Sequence, residues 1–401
     1  MSLNSRLQGS VTLIDNDEHA LRVAQELATQ FKRESIDRDR ERRLPLEELD
    51  VFSRSGLWGI SVPEAFGGAG VSNVTLAKVI RLIAEADASL GQIPQNHFYA
   101  LEVLRVNGTP EQQKRLFAEA LAGLRFGNAL AELGTKTAHD RTTRLTQDGT
   151  GLRINGRKFY STGALYAQRI PTSVIDEAGI QQLAFVPADS EGLTVIDDWS
   201  GFGQRTTGSG SVVFDNVQVE ADDVVPFQTA FQCPTTVGPL AQILHAAIDT
   251  GIARAAFEDA LHFVRTRTRP WIDSGIEKAV DDPLTLSSFG KLSVRLYAAE
   301  ALLDRAGELL DIAQADSNAD TVAAASIAVA EARAISTEIS LAAGSTLFEL
   351  AGSQATLAEH GLDRHWRNAR VHTLHDPVRW KYHAIGNYYL NEQNPPLRGT
   401  I

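Results

Sequence analysis

The chain is poor in cysteine and in the N-terminal apolar residues that form a secretion signal. Only Cys233 is a cysteine among 401 residues, so one chain can form neither a disulfide nor a cysteine-based metal site. That scarcity is typical of a reducing compartment. The first residues lack the apolar run of a signal peptide, so none is expected. We therefore expect a cytoplasmic protein.

Long apolar runs and clustered basic charge are also missing. The longest stretch without Asp, Glu, Lys or Arg is 224–248, which is long enough to span a bilayer. Its three prolines and three glutamines instead favour a solvated crossover and a helix start. Acidic residues outnumber basic ones by 50 to 38, giving a net charge of −12, which disfavours a nucleic-acid partner. No membrane association is expected, and local basic residues must hold any cofactor phosphate.

What the chain does contain is a helical block, a strand block and a second helical block. With 401 residues and 43% hydrophobic residues, two or three packed substructures are expected. Hydrophobic spacing predicts a helical domain over 14–122, a central β domain over 123–236 and a C-terminal helical bundle over 237–395. Asn155-Gly156 predicts a hairpin turn, and 363–391 is predicted as one helix. A Rossmann fold is disfavoured, because strands do not alternate with helices and no strand leads into Gly-x-Gly-x-x-Gly.

Four motifs, in collinear order across nearly the whole chain, resemble those of the acyl-CoA dehydrogenase superfamily. They are GISVPEAFGGAG at 59–70, GRKFYST at 156–162, FGQRTT at 202–207 with VFDNVQV at 213–219, and GLDRHWRNAR at 361–370. The resemblance implies an α+β fold with an N-terminal all-α domain, a central β-barrel-like domain and a C-terminal four-helix bundle. It also implies a homotetramer with each flavin near a subunit boundary.

Other segments resemble the flavin-dependent monooxygenase branch, the group of dibenzothiophene monooxygenase and the sulfur-acquisition oxidoreductases. They are FGNA at 126–129, RTRPW at 267–271 and HTLHDP at 372–377. This resemblance implies reduced FMN delivered by a separate reductase, O2 as co-substrate, and oxygenation of an organosulfur or similar small apolar compound. FAD is the alternative cofactor.

Three departures from the dehydrogenase pattern favour the monooxygenase branch. Asp376 stands where the dehydrogenases carry their glutamate base; its side chain is one methylene shorter, and a shift of about 1 Å can cost roughly a hundredfold in rate. The sequence GSQA at 352–355 replaces their Gly-Gly-x-Gly and would crowd a second nucleotide. Arg267 and Arg269 suit a terminal phosphate, which favours FMN over FAD.

The resemblance also implies which residues form the site. The catalytic candidates are His97, Thr162, His372, His375 and Asp376; the cofactor-binding candidates are Asn128, Tyr160, Ser161, Thr162, Trp199, Arg267 and Arg269. The histidines would supply protons and hydrogen bonds during oxygen activation.

Each of these residues also has a plainer interpretation. His372 and His375, three residues apart on a predicted helix, are a conceivable metal pair, but a third ligand would have to come from elsewhere, so no metal is expected. In the plainer interpretation, the histidines and Trp199 have structural roles. Asn128 and Thr162 would then stabilise turns. Two functional alternatives stay open: an FAD-dependent acyl-CoA dehydrogenase using Asp376 as base, and a non-catalytic flavin-fold binding protein.

Overall fold

The N-terminal part is a layer of six helices. The computed structural model describes residues 10–137, 140–149 and 151–401. The helices are α1 (Asp17–Lys32), α2 (Ser35–Glu41), α3 (Leu46–Arg54), α4 (Asn73–Ala86), α5 (Ala88–Asn107) and α6 (Pro110–Leu121). Local sequence sets their ends: Thr109 and Gln112 form a capping box around Pro110 at the start of α6, which satisfies backbone donors that have no partner within the helix. Helix α5 is buried along most of its length.

The central part is a mixed seven-stranded sheet. Its strands are β1 (Arg144–Asp148), β2 (Gly151–Lys158), β3 (Arg169–Ile175), β4 (Gln181–Pro187), β5 (Leu193–Ile196), β6 (Ser211–Val219) and β7 (Val224–Pro226). The order across the sheet is β5-β6-β2-β1-β3-β4-β7. The β1–β3 pair is parallel, whereas the other neighbouring pairs are antiparallel.

The hairpin predicted at Asn155-Gly156 was wrong, because both residues lie inside β2. Strand β2 changes register against β6 between Ile154 and Gly156, which is a β-bulge. Gly156 has φ +153°, and a Cβ there would lie 2.6 Å from the Thr143 hydroxyl, so the glycine serves a bent, crowded strand. Strand β2 instead pairs antiparallel with β1, and their register runs to Asp148 opposite Gly151.

The C-terminal part is a helical domain built on three long helices. Its helices are α7 (Val237–Thr266), α8 (Pro283–Ala315), α9 (Ala319–Ala351), α10 (Asp363–His372) and α11 (Arg379–Asn391). Many buried residues of α7 and α9 are alanines, which allow the helix axes to approach closely. The single helix predicted over 363–391 was wrong. The chain leaves α10 at His372 and re-enters a helix after Pro377, since proline disfavours helical geometry in the residue before it.

The helices can also be judged against the thickness of a bilayer. Within residues 10–137, 140–149 and 151–401, none combines the length and the apolar character that crossing a membrane requires.

Candidate active site

A cavity of about 640 Å³ lies where the two helical parts and the sheet region meet. Helix α5 contributes Gln95, Asn96 and Tyr99 to its wall, and α7 contributes Ala241, Gln242 and His245. The remaining wall comes from the sheet region and the C-terminal segments: Asn128, Leu130, Ala131, Arg141, Tyr160, Thr162, Gln181, Phe227, Gln228, Phe231, Gln232, His375, Asp376, Arg398, Gly399 and Thr400. The volume suits a cofactor or a small ligand.

Tyr160 is held in a backbone conformation that tyrosine rarely adopts. Its φ is +57°, which costs about 1–2 kcal/mol for a residue with a side chain. The Asn128 side chain donates to the Tyr160 carbonyl at 3.1 Å and accepts from the Leu130 amide at 3.0 Å. The Tyr160 side chain is 47% exposed, so the strained turn presents an aromatic ring to the cavity. Strain held in place by surrounding contacts is characteristic of ligand sites.

A chain of buried hydroxyls lies behind Thr162. Its Oγ1 is 2.7 Å from Ser209 Oγ, which is 2.6 Å from Thr207 Oγ1. Thr207 donates to the Gln204 carbonyl at 3.0 Å. A carbonyl only accepts, so each hydroxyl proton points away from the cavity along this chain. Thr162 Oγ1 is therefore left as a hydrogen-bond acceptor on the cavity side.

Three histidines form a cluster, and two of them, His245 and His375, line the cavity. His245 Nδ1 and His372 Nε2 are 3.1 Å apart. His375 Nδ1 lies 2.7 Å from the His372 carbonyl, and its Nε2 lies 3.3 Å from the amide nitrogen of Gln92. The prediction that His372 and His375 share a helix face was wrong because α10 ends at His372, but the following turn still brings their rings to 4.8 Å.

The histidine cluster rests on a buried ion pair. His372 Nδ1 is 2.6 Å from Asp249 Oδ1, and Arg333 pairs with the other carboxylate oxygen of Asp249. Burial raises the pKa of Asp249, but Arg333 and His372 outweigh it and hold that pKa below its usual value. Burial and the neighbouring His375 and His372 lower the pKa of His245 well below its ordinary value. Asp249 is thus an anion and the resting His245 is neutral.

The nitrogen atoms that these three histidines offer all lie within 4.8 Å of one another. This spacing matches a metal site, and the third histidine is one that the sequence did not suggest. Two of the rings bond directly to each other, and His372 is also bonded to Asp249. Hydrogen bonds alone therefore account for the geometry of the cluster.

Asp376 faces the cavity beside a buried lysine. Its Oδ2 is 3.8 Å from Lys381 Nζ and has no hydrogen-bond partner among the described residues. Lys381 donates to Gln242 Oε1 at 3.0 Å and to the Thr400 carbonyl at 2.6 Å. Burial lowers the pKa of Lys381 to about 8, against the opposing effect of Asp376. The lysine therefore fastens residues 399–400 to the cavity wall.

Several predicted site residues lie outside the cavity. His97 is fully buried, with Nε2 at 2.8 Å from the Trp58 carbonyl and Nδ1 accepting from the Phe126 amide at 3.1 Å. Burial lowers its pKa to about 3, so His97 is a neutral packing residue here. Ser161 is buried, and its hydroxyl has no partner within the described chain. Trp199 stands outside the wall, 6.2 Å from the Tyr160 ring.

Arg267 and Arg269 are also remote from the cavity within one chain. Both are exposed and follow the C-terminal end of α7. His245 lies 21 residues before that end, which is about 30 Å along the helix. The structure brings together Asn128, Tyr160, Thr162, His375 and Asp376, but not this pair.

Sequence reasoning missed His245 and the Asp249–Arg333 pair. A signal was available, because Asp249 and Arg333 each lie in a run of mainly apolar, alanine-rich sequence. Charges in such positions are expected to pair, and His245 stands one helical turn before Asp249.

Two family models match the chain. The acyl-CoA dehydrogenase N-terminal domain matches residues 16–123, and the acyl-CoA dehydrogenase C-terminal domain matches residues 243–380. These matches cover most of both helical parts of the fold.

Similar proteins of known name and structure extend over nearly the full length. Dibenzothiophene monooxygenase of Mycolicibacterium goodii is 34% identical, covering 97% of this chain and 98% of that protein. The probable FMNH2-dependent monooxygenase SfnC of Pseudomonas putida is 34% identical, covering 94% and 96%. The crystal structure of FMN-bound TdsC from Paenibacillus sp. A11-2 has a TM-score of 0.91 at 32% identity, covering 95% and 100%.

These matches confirm the resemblance inferred from the motifs, and with it the fold class. Identity above 30% over nearly the whole chain connects it to enzymes that carry the monooxygenase name. The cavity is lined by Tyr160 and Thr162 together with His245 and His375. The chain belongs to the acyl-CoA dehydrogenase superfamily, in its branch of flavin-dependent monooxygenases.

Proposed function

We propose that this protein is the oxygenase of a two-component system that uses reduced FMN and O2 to oxygenate an organosulfur or similar small apolar compound. A separate flavin reductase supplies the reduced FMN, and both proteins act in the cytoplasm. The observation that supports this proposal is that one cavity is lined by Tyr160 and Thr162 as well as by His245 and His375. When bound, reduced FMN supplies the two electrons and the two hydrogens that convert the second oxygen atom of O2 to water.

The Thr162 wall fits a reduced flavin. Its Oγ1 is left as an acceptor by the hydroxyl chain through Ser209 and Thr207. A reduced flavin carries a hydrogen on N5, whereas an oxidised flavin has only a lone pair there. An acceptor at this wall therefore favours the reduced form, which is the form that a two-component oxygenase takes from its reductase. Asn128 and Tyr160 would hold the ring beside it.

In this proposal, the phosphate of FMN is bound by arginines from a second copy of the chain. Arg267 and Arg269 lie about 30 Å along α7 from the cavity of their own chain, and neither forms an ion pair within the described residues. The exposed Trp271 and Ile272 follow them directly, as expected beside a subunit contact. We propose a homotetramer in which these arginines complete the site of a neighbouring copy.

The substrate side of the cavity is mixed in character. Leu130, Phe227, Phe231 and Ala241 give it an apolar face, while glutamines and Asp376 give it a polar one. A small compound with an apolar body and a polar sulfur centre fits both faces. His375 and His245 lie where they can hydrogen-bond to a group at the reacting centre.

The dehydrogenase alternative has one observation in its favour, namely that Asp376 lines the cavity. Against it, the Asp376 carboxylate stands 3.8 Å from the ammonium group of Lys381. The side chain of Asp376 is also one methylene shorter than the glutamate base of the dehydrogenases. The same carboxylate is better suited to anchoring Lys381 than to removing a proton from carbon.

The test supplies purified protein with reduced FMN from an NADH-driven flavin reductase under ¹⁸O2. The substrates are dibenzothiophene, a dialkyl sulfoxide and a dialkyl sulfone. We expect one ¹⁸O atom in the product of at least one of them. Two results would overturn the proposal: tightly bound FAD that an acyl-CoA reduces, or no micromolar binding of either flavin.

A further inference from the structure

The histidine cluster offers one unused ring nitrogen to the cavity, and it belongs to His245. His245 uses Nδ1 to contact His372 at 3.1 Å. Its other nitrogen, Nε2, has no hydrogen-bond partner among the described residues, and the side chain lines the cavity. An unpartnered ring nitrogen facing a cavity is available to a ligand.

His375 is differently placed although it lines the same wall. Its Nδ1–H donates to the His372 carbonyl at 2.7 Å, and its Nε2 accepts from Gln92 at 3.3 Å. Both nitrogens of the neutral ring are thereby occupied. His375 can orient a bound molecule, but transferring a proton would require breaking one of these bonds. The available proton carrier is His245.

Behind His245, the hydrogen bond between His372 and Asp249 has a fixed direction. The Asp249 carboxylate can only accept, so His372 donates to it from Nδ1 at 2.6 Å. When Nδ1 carries the only proton of His372, its Nε2 accepts a hydrogen bond from His245 Nδ1, 3.1 Å away. His245 Nε2 is consequently a lone pair facing the cavity. A proton arriving there releases the Nδ1 proton to His372, whose positive charge comes to rest beside Asp249.

The groups around His245 confine the transferred proton to the pair formed by His372 and Asp249. The charged and titratable groups that face the cluster come from every element packed on it: Asp249 on α7, Arg333 on α9, His372 on α10, His375 and Asp376 in the loop after α10, and Lys381 on α11. The other partner of Asp249 is the buried Arg333, a cation that cannot accept a proton. A proton therefore has no onward exit and must return through His245.

We propose that His245 exchanges a proton with the reacting groups in the cavity, and that His372 and Asp249 are the positioning residues that receive and return it. This inference rests on the proposed function, in which reduced FMN loses two hydrogens as it is oxidised. With reduced FMN bound, His245 would take up one of those protons at Nε2 and pass its Nδ1 proton to His372. It would return through His245 to the reduced oxygen, which leaves as water when a substrate is oxygenated and as hydrogen peroxide when none is present, so the histidines end each cycle unchanged.

The experiment follows oxidation of enzyme-bound reduced FMN by O2 in a stopped-flow spectrometer, without any sulfur compound. The rate at which oxidised FMN appears is measured across pH in H2O and D2O. His245→Phe removes both nitrogens, and His245→Gln keeps a polar contact to His372 but cannot relay a proton. His262→Gln is the matched control, because His262 is on the same helix and exposed.

We expect both His245 variants to bind reduced FMN within threefold of wild type. The rate should fall about a hundredfold, a typical effect of removing a general acid–base, and the D2O effect and the pH dependence should disappear. His262→Gln should match wild type. In a third variant, His245→Ala, the rate should fall similarly and added imidazole should partly restore it, which a purely structural loss would not allow.

Two results would overturn the inference. One is a wild-type isotope effect and pH profile in whichever His245 variant folds. The other is a wild-type D2O effect that disappears on EDTA treatment and returns when zinc is added, which would assign the histidine cluster to a metal. This experiment contains no sulfur compound, so its result does not depend on the substrate panel. A failure to oxygenate that panel would count against the proposed function only.

Discussion

At the residue scale, Thr162 shows how neighbours decide what a hydroxyl can do. An isolated threonine donates or accepts equally well. Here Ser209, Thr207 and the Gln204 carbonyl direct its proton away from the cavity. The residue therefore becomes a selective acceptor without any charge.

Replacing this hydroxyl should change which flavin form is bound. Thr162→Val keeps the shape but removes the acceptor, so the affinity for reduced FMN should fall by about 1 kcal/mol, or roughly fivefold. The affinity for oxidised FMN should change less. Anaerobic and aerobic titrations followed by fluorescence compare the two forms, and Thr162→Ser should retain the wild-type preference. Equal losses for both forms would mean that Thr162 has no role in selecting the redox state.

Glu132 is a second residue whose partners set its behaviour. Burial raises its pKa, but hydrogen bonds from Lys158, at 2.7 Å, and from Thr142 outweigh it and lower that pKa to about 2. Since the folded pKa is below the unfolded value of 4.5, the stabilisation is complete above pH 4.5 and is lost as pH falls toward 2.

Glu132→Gln should accordingly destabilise the protein most near neutral pH, by about 3 kcal/mol. The difference from wild type should shrink as pH falls from 4.5 toward 2, because wild-type Glu132 also becomes neutral there. Urea unfolding at a series of pH values measures it, with the exposed Glu191→Gln as control. A difference that stays constant with pH would contradict the assignment.

The candidate site was partly predictable residue by residue. Asn128, Tyr160, Thr162, His375 and Asp376 carry recognisable motifs and meet at the cavity. His245 carries no motif, and its importance comes from a contact with His372, 127 residues away along the chain. Long-range contacts of this kind arise from helix packing, which hydrophobic spacing alone does not specify.

At the scale of elements, the Asp249–Arg333 pair joins α7 to α9 in the middle of the C-terminal domain. Both side chains are almost completely shielded from solvent. Removing one partner leaves an uncompensated buried charge, whereas removing both leaves a space that apolar residues can fill.

Arg333→Leu should therefore lower the free energy of unfolding by about 3–5 kcal/mol. The double variant Asp249→Leu/Arg333→Leu should recover a large part of that loss, although it lacks the proton acceptor behind His372. Chemical denaturation of the single and double variants measures the coupling. Additive losses in the double variant would show that the two charges do not stabilise each other.

Helices were easier to predict than the places where elements bend. The 3.6-residue period of α7, α8 and α9 is visible in the sequence, and all three helices lie within the predicted helical region 237–395. Asn155-Gly156 has the composition of a hairpin turn, yet pairing with β6 and the closeness of Thr143 turn it into a bulge. The neighbouring strand, and not the local sequence, therefore decides that Asn155-Gly156 does not reverse the chain.

At the scale of the whole molecule, the proposed assembly makes a prediction about complementation. A chain with Arg267→Ala and Arg269→Ala keeps its own cavity, and a chain with Asn128→Trp keeps its arginines but has a blocked cavity. Each should be inactive alone, and co-expressed mixtures should regain a fraction of the activity because one copy completes the site of the other. Light scattering would report the size of the assembly. Arginines acting within their own chain would give mixtures no more active than either parent.

The lone cysteine, which excluded disulfides at the outset, also provides a labelling position. Cys233 is exposed and stands next to Gln232 and near Phe231, two residues of the cavity wall. A maleimide dye would attach at one place per chain, without mutagenesis, and its emission would report flavin entry in real time. Spin labels at the same thiol would give distances between copies, measuring the arrangement of subunits in solution independently of activity.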